Sequence, residues 1–266
     1  MNKYNVIQLN TGRNALRYII RAFQIEEIYL PYYICPTIRN VALKENCKVI
    51  FYHIDKTFKP VYNFNKNDYI LYPDYFGICG NIISDLVKKY PNLIIDNAHS
   101  FFSEPKGLAS FSSLRKFFPC LRDGAFLYTT KTLDINIEKD NYNYEYKELS
   151  FEKLCKNENR LDKEPIKYMS DCTTNYFSKI DLEEEKRKFI EHFKLNSNKY
   201  NDLNNLKIKL SHNAVPYKYP FFADNIKNAD NLVKELENNG KTIFRYWNNM
   251  PDIFIEKEFY TKLIAI

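Results

Sequence analysis

Glycine is scarce in this sequence, with 6 residues in 266, and tryptophan occurs once. No G-x-x-x-x-G-K-[ST] loop is present, so the common mononucleotide-binding motif is excluded. No apolar run approaches the roughly 18 residues that a membrane-spanning helix requires, and the first residues lack the apolar stretch of a signal peptide. These absences predict a cytoplasmic protein without a membrane partner.

Cysteine pairs with metal-site spacing are also missing. The six cysteines are scattered, form no C-x-x-C motif, and are not spaced with a histidine as in a zinc site. We therefore predict reduced structural thiols and no metal. The net charge of +6 favours an anionic ligand such as a phosphate group. The lysines are spread along the whole chain and no nucleic-acid-binding motif is present, so nucleic acid is not expected as a partner.

Helix and strand patterns alternate through the first half of the chain. The predicted helices are 15–23, 37–44 and 82–89, and the strand-like runs are 27–30, 48–54, 68–71, 93–95, 108–111 and 125–128. Such alternation predicts an α/β fold with a mainly parallel sheet that helices cover on both faces.

The composition changes after the last of these strands. Residues 133–165 are polar and rich in tyrosine and asparagine, and we interpret them as a connecting segment. The predicted elements beyond it are a long charged helix at 181–200, strands at 215–223 and 242–247, and a helix at 229–238. The chain is thus expected to form a large domain over 1–175 and a small carboxyl-terminal α/β domain over 176–266.

Two reactive side chains follow strand-like runs in the middle of the chain. Asp96 ends the run Leu93-Ile94-Ile95, at the sheet edge where α/β proteins bind ligands. Lys116 lies among aromatic residues, an environment that lowers the pKa of an ammonium group and leaves a usable amine. Taken alone, Asp96 is also consistent with a helix cap and Lys116 with a surface lysine. Together they suit pyridoxal 5'-phosphate (PLP), because a lysine binds its aldehyde carbon and a carboxylate keeps its pyridine nitrogen protonated.

Two further motifs fit the same cofactor. Thr11-Gly12 opens the first predicted helix, and a helix N-terminus binds phosphate, although the pair is also consistent with an ordinary N-cap. His99 follows Asp96 by about one helical turn, where it either contacts the cofactor's ring oxygen or packs in the core. The remaining histidines, His53, His192 and His212, have no partner that the sequence indicates.

The segments around these residues form a recognisable series. They are N-T-G-R-N-A-L at 10–16, Y-L-P-Y-Y-I-C-P-T at 29–37, C-K-V-I-F-Y-H-I-D at 47–55, D-Y-F-G at 74–77, I-I-D-N-A-H-S at 94–100, S-L-R-K-F-F-P at 113–119, R-D-G-A at 122–125, V-P-Y-K-Y-P at 215–220 and R-Y-W-N-N-M-P at 245–251. The series covers most of the chain and resembles the DegT/StrS group of fold type I PLP enzymes, the sugar aminotransferases. Asp96 and Lys116 are its most specific parts.

The resemblance implies a role for each matching residue. Lys116 would hold the cofactor and then move the substrate proton, and Asp96 would pair with the pyridinium nitrogen. The other cofactor contacts would be Thr11, Gly12, Arg13 and Ser113 at the phosphate, His99 beside the ring, and Tyr33 or Tyr32 over the ring face.

Three features depart from the family pattern. Cys35 stands where many members carry the aromatic residue that stacks on the cofactor. The family's Asn-x-Arg segment, which reaches into the neighbouring subunit's site, has no clear match, and residues 170–175 are the nearest region. The chain is also short for the family.

The resemblance further implies an activity. Glutamate would donate an amino group and a keto-sugar, nucleotide-linked, would accept it in the biosynthesis of surface polysaccharide. A homodimer is expected, because the family builds its sites at the subunit interface. Lys116 argues against the dehydratase branch, in which histidine replaces the lysine. Two alternatives stay open: a catalytically inactive scaffold or binding protein with this fold, and a PLP-dependent lyase or decarboxylase.

Overall fold

Strands and helices alternate in the computed structural model, which describes residues 3–144, 151–248 and 250–266. The strands are β1 (Asn5–Leu9), β2 (Glu27–Pro31), β3 (Lys48–Ile54), β4 (Pro60–Val61), β5 (Ile70–Pro73), β6 (Leu93–Asn97), β7 (Ala109–Ser112), β8 (Ala125–Thr129), β9 (Pro220–Phe222) and β10 (Leu263–Ala265). The helices are α1 (Gly12–Phe23), α2 (Pro36–Lys44), α3 (Gly80–Lys89), α4 (Leu114–Phe117), α5 (Phe151–Lys163), α6 (Asp171–Phe177), α7 (Leu182–Tyr200), α8 (Ile226–Asn238) and α9 (Lys257–Lys262). Within these ranges, no helix is both long and apolar enough to cross a bilayer.

Eight strands form the central sheet in the order β1-β8-β7-β6-β5-β2-β3-β4. The five strands from β3 to β7 in that order are parallel neighbours, whereas β8, β1 and β4 pair antiparallel. The predicted mainly parallel sheet is therefore confirmed. Its parallel strands end at a common edge, where α/β proteins place their ligands.

Alternate residues of each parallel strand face opposite sides of the sheet. On β5, Leu71 belongs to the apolar cluster that holds α1 and α2, whereas Ile70 and Tyr72 belong to the cluster that holds α3 and the carboxyl-terminal elements. Each fully buried side chain of this size contributes about 1.5–3 kcal/mol. Helices on both faces, as predicted, thus follow from strands that are apolar on both faces.

Helix α1 begins at a capped end that faces the ligand edge of the sheet. Thr11 has an extended backbone, and its Oγ1 accepts a hydrogen bond from the Asn14 N–H at 3.1 Å. Leu16, Ile19 and Ile20 then bury one side of the helix against the sheet. The predicted N-cap is therefore confirmed, and it fixes the direction in which the first amides of α1 point.

Replacing Thr11 with alanine is expected to lower the free energy of unfolding by about 1 kcal/mol, because the Asn14 amide loses its acceptor. Thr11→Ser keeps the hydroxyl and serves as the matched control, with stability near that of the wild type. Urea unfolding followed by circular dichroism measures both. An alanine variant as stable as the serine variant would contradict the capping role.

The carboxyl-terminal region matches the predicted helices but not the predicted strands. The run predicted over 215–223 is a strand only at Pro220–Phe222, and Pro216, which has no N–H to donate, lies in the part that is not a strand. The strand predicted over 242–247 is wrong: Phe244 makes an isolated bridge to Ala265, and a φ of 55° at Trp247 ends the extended path. Strand β10 pairs with β9 instead.

The segment interpreted as a connection, 133–165, contains helix α5. Residues 145–150 of that segment lie outside the described residues. Arg160 of α5 binds the buried Asp140 at 2.9 Å, and Glu158 of the same helix binds Arg13. These ion pairs join polar side chains, which a hydrophobic pattern does not reveal.

Candidate active site

A cleft opens at the carboxyl ends of the parallel strands, beside the N-terminus of α1. Seven of the eight site residues named from the sequence line it, namely Thr11, Gly12, Arg13, Asp96, His99, Ser113 and Lys116. The eighth, Tyr33, does not line the cleft. No cluster of three or more side chains suited to a metal ion occurs within the described ranges.

Asp96 is held firmly at the end of β6. Its Oδ1 accepts the Ala98 N–H at 2.9 Å, and its carbonyl oxygen accepts the Asp74 N–H at 3.0 Å. The residue is 8% exposed, and this burial raises the pKa of Asp96 to about 6, against the opposing effects of the Ala98 hydrogen bond and the Lys116 charge. A carboxylate that has lost most of its water and faces a cleft favours a cationic ligand.

Lys116 projects from the single-turn helix α4 that follows β7. Leu114 and Phe117 are fully buried and anchor this turn. The lysine Nζ lies 3.0 Å from His99 Nε2 and 5.7 Å from the ring centre of Tyr246. Burial lowers the pKa of Lys116, while the nearby Cys35 and Asp96 act in the opposite direction. The side chain is therefore easier to deprotonate than a surface lysine, as a nucleophilic amine must be.

His99 joins the lysine to the floor of the cleft. Its Nδ1 accepts the Phe76 N–H at 3.3 Å. The imidazole ring stacks with Tyr217 at 5.1 Å and lies parallel, within 4°, to the indole of Trp247 at 6.1 Å. Burial, with a further effect of the Lys116 charge, brings the pKa of His99 well below its ordinary value, so the ring is neutral at physiological pH.

The phosphate end of the site is built from backbone groups. Gly12 and Arg13 occupy the first two positions of α1, whose amides have no acceptor within a helix. Ser113, the residue before α4, lines the same part of the cleft. The helix N-terminus and the Ser113 hydroxyl together form an anion site.

Two arginines beside this anion site are already paired with acidic residues of α5. The Arg13 guanidinium binds Glu158 at 3.0 Å and also Asp162, and Arg115 binds Glu158 as well. The backbone amide of Arg13 thus faces the anion site, while its guanidinium is bound to two carboxylates of α5. The sequence does not reveal these carboxylates, because it does not predict α5.

Removing the negative charge of Glu158 from α5 is expected to strengthen the binding of an anion in the cleft. Glu158→Gln removes a negative charge from beside Arg13 and Arg115, and should tighten binding of inorganic phosphate by about three- to tenfold. Isothermal titration at low salt measures the affinity. Glu164→Gln, which alters the carboxylate that follows α5 and pairs with Arg160 and Lys167, is the control and should leave the affinity unchanged. Equal effects of the two variants would contradict a specific role for Glu158.

The aromatic residues at the cleft differ from those expected. Tyr33 is 1% exposed and packs behind the cleft against Tyr75 and, at 4.7 Å, against Trp247. Cys35, in the position of the family's stacking aromatic, lines the cleft together with Trp247. In the sequence, Trp247 stands out only as part of the 245–251 segment. Its being the single tryptophan of the chain is the one further sign that it could have a special role.

Two polar groups of the R-D-G-A segment also reach the cleft. Asp123 is buried, and its Oδ1 accepts the Thr173 hydroxyl, whereas its Oδ2 has no partner among the described residues. Burial raises the pKa of Asp123 to about 6. The Nε of Arg122 is likewise buried without a partner in the described part of the chain.

Comparisons with known proteins find similarity in structure rather than in sequence. No family model matches the sequence, and no curated protein sequence matches it. A DegT DnrJ EryC1 StrS aminotransferase from Brucella abortus superposes with a TM-score of 0.63 at 13% identity, over 98% of this chain and 80% of that one. PseC of Helicobacter pylori, an aminotransferase involved in the biosynthesis of pseudoaminic acid, gives 0.62 at 15% identity over 98% and 80%.

A third neighbour comes from a different reaction class. The E. coli GDP-4-keto-6-deoxy-D-mannose-3-dehydratase, solved with bound hydrated PLP, gives a TM-score of 0.64 at 12% identity over 98% of this chain and 82% of that one. Identities of this size establish a fold and not an activity. The chain has the fold of the DegT/StrS sugar aminotransferases and their relatives.

Proposed function

We propose that this chain is a PLP-dependent aminotransferase of the DegT/StrS family. The observation that carries the proposal is a single cleft that holds a buried carboxylate, a lysine with a lowered pKa and a free helix N-terminus. We further propose glutamate as the amino donor and a nucleotide-linked keto-sugar as the acceptor, in a cytoplasmic homodimer that serves surface polysaccharide biosynthesis. The division into domains at 1–175 and 176–266 is part of the same proposal.

The donor set of the cleft fits the three chemical parts of PLP. Asp96 matches the pyridinium nitrogen, because its carboxylate lines the cleft and is fixed in place by the Ala98 N–H. Lys116 matches the aldehyde. The amides of Gly12 and Arg13, with the Ser113 hydroxyl, match the phosphate.

The residues of the chain then have distinct tasks. When bound, PLP supplies an electron sink for the electron pair left on a substrate carbon. Asp96 keeps the ring nitrogen protonated, and that positive charge strengthens the sink. Lys116 would remove a proton from the substrate carbon and return one. His99 and the aromatic residues around it exclude water from the amine.

The finer assignment rests on the neighbours and on Lys116. PseC is an aminotransferase of pseudoaminic acid biosynthesis, and the E. coli enzyme acts on a GDP-linked keto-sugar. Both support a keto-sugar acceptor, and the second supports a nucleotide linkage. The lysine at 116, where the dehydratase branch of the family carries histidine, supports amino transfer rather than dehydration.

A second candidate is a cofactor-free scaffold with this fold. Two observations favour it: Cys35 replaces the stacking aromatic, and Glu158 occupies the arginines beside the phosphate end. Such a protein would use the cleft for binding without amino transfer. A PLP-dependent lyase or decarboxylase is the remaining alternative.

Absorption spectroscopy with added PLP and glutamate separates these candidates. An aminotransferase should develop a visible cofactor band, lose it when glutamate is added, and release one 2-oxoglutarate per cofactor. A scaffold would develop no band. A lyase or decarboxylase would keep the band while glutamate is left intact, and either result would overturn the proposal.

A further inference from the structure

The imidazole of His99 makes two hydrogen bonds that together fix where its proton lies. Its Nδ1 is 3.3 Å from the backbone nitrogen of Phe76, and its Nε2 is 3.0 Å from the Nζ of Lys116. A backbone N–H is always a donor, so Nδ1 must be the acceptor and cannot carry a proton. The neutral ring therefore carries its proton on Nε2.

This tautomer determines the charge of the lysine. An Nε2–H needs an acceptor, and the only lone pair that a lysine offers is that of the uncharged amine. An ammonium group would instead place an N–H opposite the Nε2–H. A second protonation of the ring gives no alternative, since Nδ1 would then point a proton at the Phe76 N–H.

We propose that His99 is a positioning residue that keeps the amine of Lys116 uncharged, by donating Nε2–H to its lone pair before any cofactor binds. The neutral amine is the form that attacks an aldehyde carbon. This role rests on the proposed function for its purpose, whereas the two hydrogen bonds stand without it.

The Phe76 amide is held rigidly in place by the turn that follows β5. Phe76 and Gly77 both have positive φ values, 55° and 75°. A Cβ on Gly77 would lie 2.6 Å from the His99 carbonyl oxygen, so only glycine allows this turn to approach so closely. The Phe76 carbonyl accepts the Tyr217 N–H at 2.9 Å, which ties the turn to the carboxyl-terminal region as well.

The groups that face the lysine act on its charge in opposite directions, since Asp96 and Cys35 favour the ammonium whereas Arg115 favours the uncharged amine. They are Asp96 from β6, Cys35 before α2, Arg115 on α4, His99 after β6, and the phenols of Tyr217 and Tyr246. Burial is the largest influence on the lysine and lowers its pKa, and burial also lowers the pKa of His99. Both directions favour a neutral pair.

The proposal is tested on the protein without cofactor. Trace acetylation with acetic anhydride over a pH series, followed by peptide mass spectrometry, gives the reactivity of Lys116 relative to its own plateau at high pH. Normalising to the plateau removes the effect of limited access. We expect a midpoint at least about one pH unit below the ordinary lysine value.

Two variants at position 99, glutamine and glutamate, provide the comparison, because their side chains have the same size and shape. The amide of His99→Gln is able to accept from Phe76 and donate to Lys116, so the midpoint should stay low. The carboxylate of His99→Glu accepts from both and favours the ammonium, so the midpoint should rise by about one pH unit or more above that of the glutamine variant. Circular dichroism establishes that each variant is folded.

An imidazole ¹⁵N spectrum of wild-type protein checks the tautomer independently. We expect the Nε2–H form of His99. An Nδ1–H form, an imidazolium, or a wild-type midpoint at the ordinary lysine value would overturn the proposal, even if His99→Glu does not fold. These results are independent of cofactor uptake, so a failure here is distinguishable from a failure of the proposed function.

Discussion

Asp96→Asn is expected to make the cofactor-free protein more stable while it abolishes amino transfer. The asparagine Oδ1 keeps the bond from the Ala98 N–H, which is 2.9 Å long in the wild type, so the end of β6 should not move. The neutral amide, however, cannot hold a proton on the ring nitrogen. Turnover with glutamate should fall by about 10²–10³-fold or more, as a coupled assay of 2-oxoglutarate measures.

The gain in stability follows from the raised pKa of Asp96. Burial raises the pKa of this carboxyl from 3.8 to about 6, so the folded state holds a proton that the unfolded state releases between those values. The free energy of unfolding contributed by Asp96 therefore decreases as the pH rises through that interval, by roughly 3 kcal/mol at most. Asparagine removes this loss, so the variant should be the more stable protein above about pH 6 and equal to the wild type near pH 4.

Urea unfolding of the cofactor-free protein on both sides of this interval tests the prediction. Asp85→Asn, at an exposed position of α3 with only a surface ion pair, is the matched control and should change stability by no more than about 0.5 kcal/mol at either pH. A variant at 96 that retains wild-type turnover, or that is no more stable than wild type at neutral pH, would contradict the role given to this carboxylate.

Lys116→Arg is expected to abolish both the visible cofactor band and turnover. Arginine has a side chain of similar length, but its guanidinium is always charged, is not a nucleophile and holds no removable proton at neutral pH. Loss of the amine should reduce turnover by about 10³-fold or more. Absorption spectra and the coupled assay measure the two effects.

The control for this variant is a second partly buried lysine. Lys106 donates to Ser84 Oγ at 3.0 Å and does not line the cleft, so Lys106→Arg should retain the band and the activity. A visible band in the variant at 116, or its loss in the variant at 106, would show that another group binds the cofactor.

The parallel sheet is predictable because its strands are apolar on both faces. Leu93, Ile94 and Ile95 are all at most 1% exposed, and such runs bounded by turns are distinctive in sequence. Strand β1 lacks this signal: it lies at one end of the strand order, with β8 as its neighbouring strand, and Val6 is 55% exposed. Edge strands of this kind are easily missed because packing constrains them on one side only.

The core of the candidate site is predictable because its residues follow strands directly. Asp96 and Lys116 come at the ends of β6 and α4, and the parallel topology brings those ends together. Trp247 lines the same cleft, and Glu158 binds two arginines that line it, although both residues lie far along the chain. No local pattern reports where they lie, because their positions depend on ion pairs and on a backbone with positive φ at Trp247.

Borohydride reduction of the protein with PLP, followed by peptide mass mapping, tests the central claim most directly. The account predicts one reduced cofactor per chain, attached to the Nζ of Lys116. A protein that takes up no cofactor, or that carries it on other lysines while Lys116 stays unmodified, would contradict it.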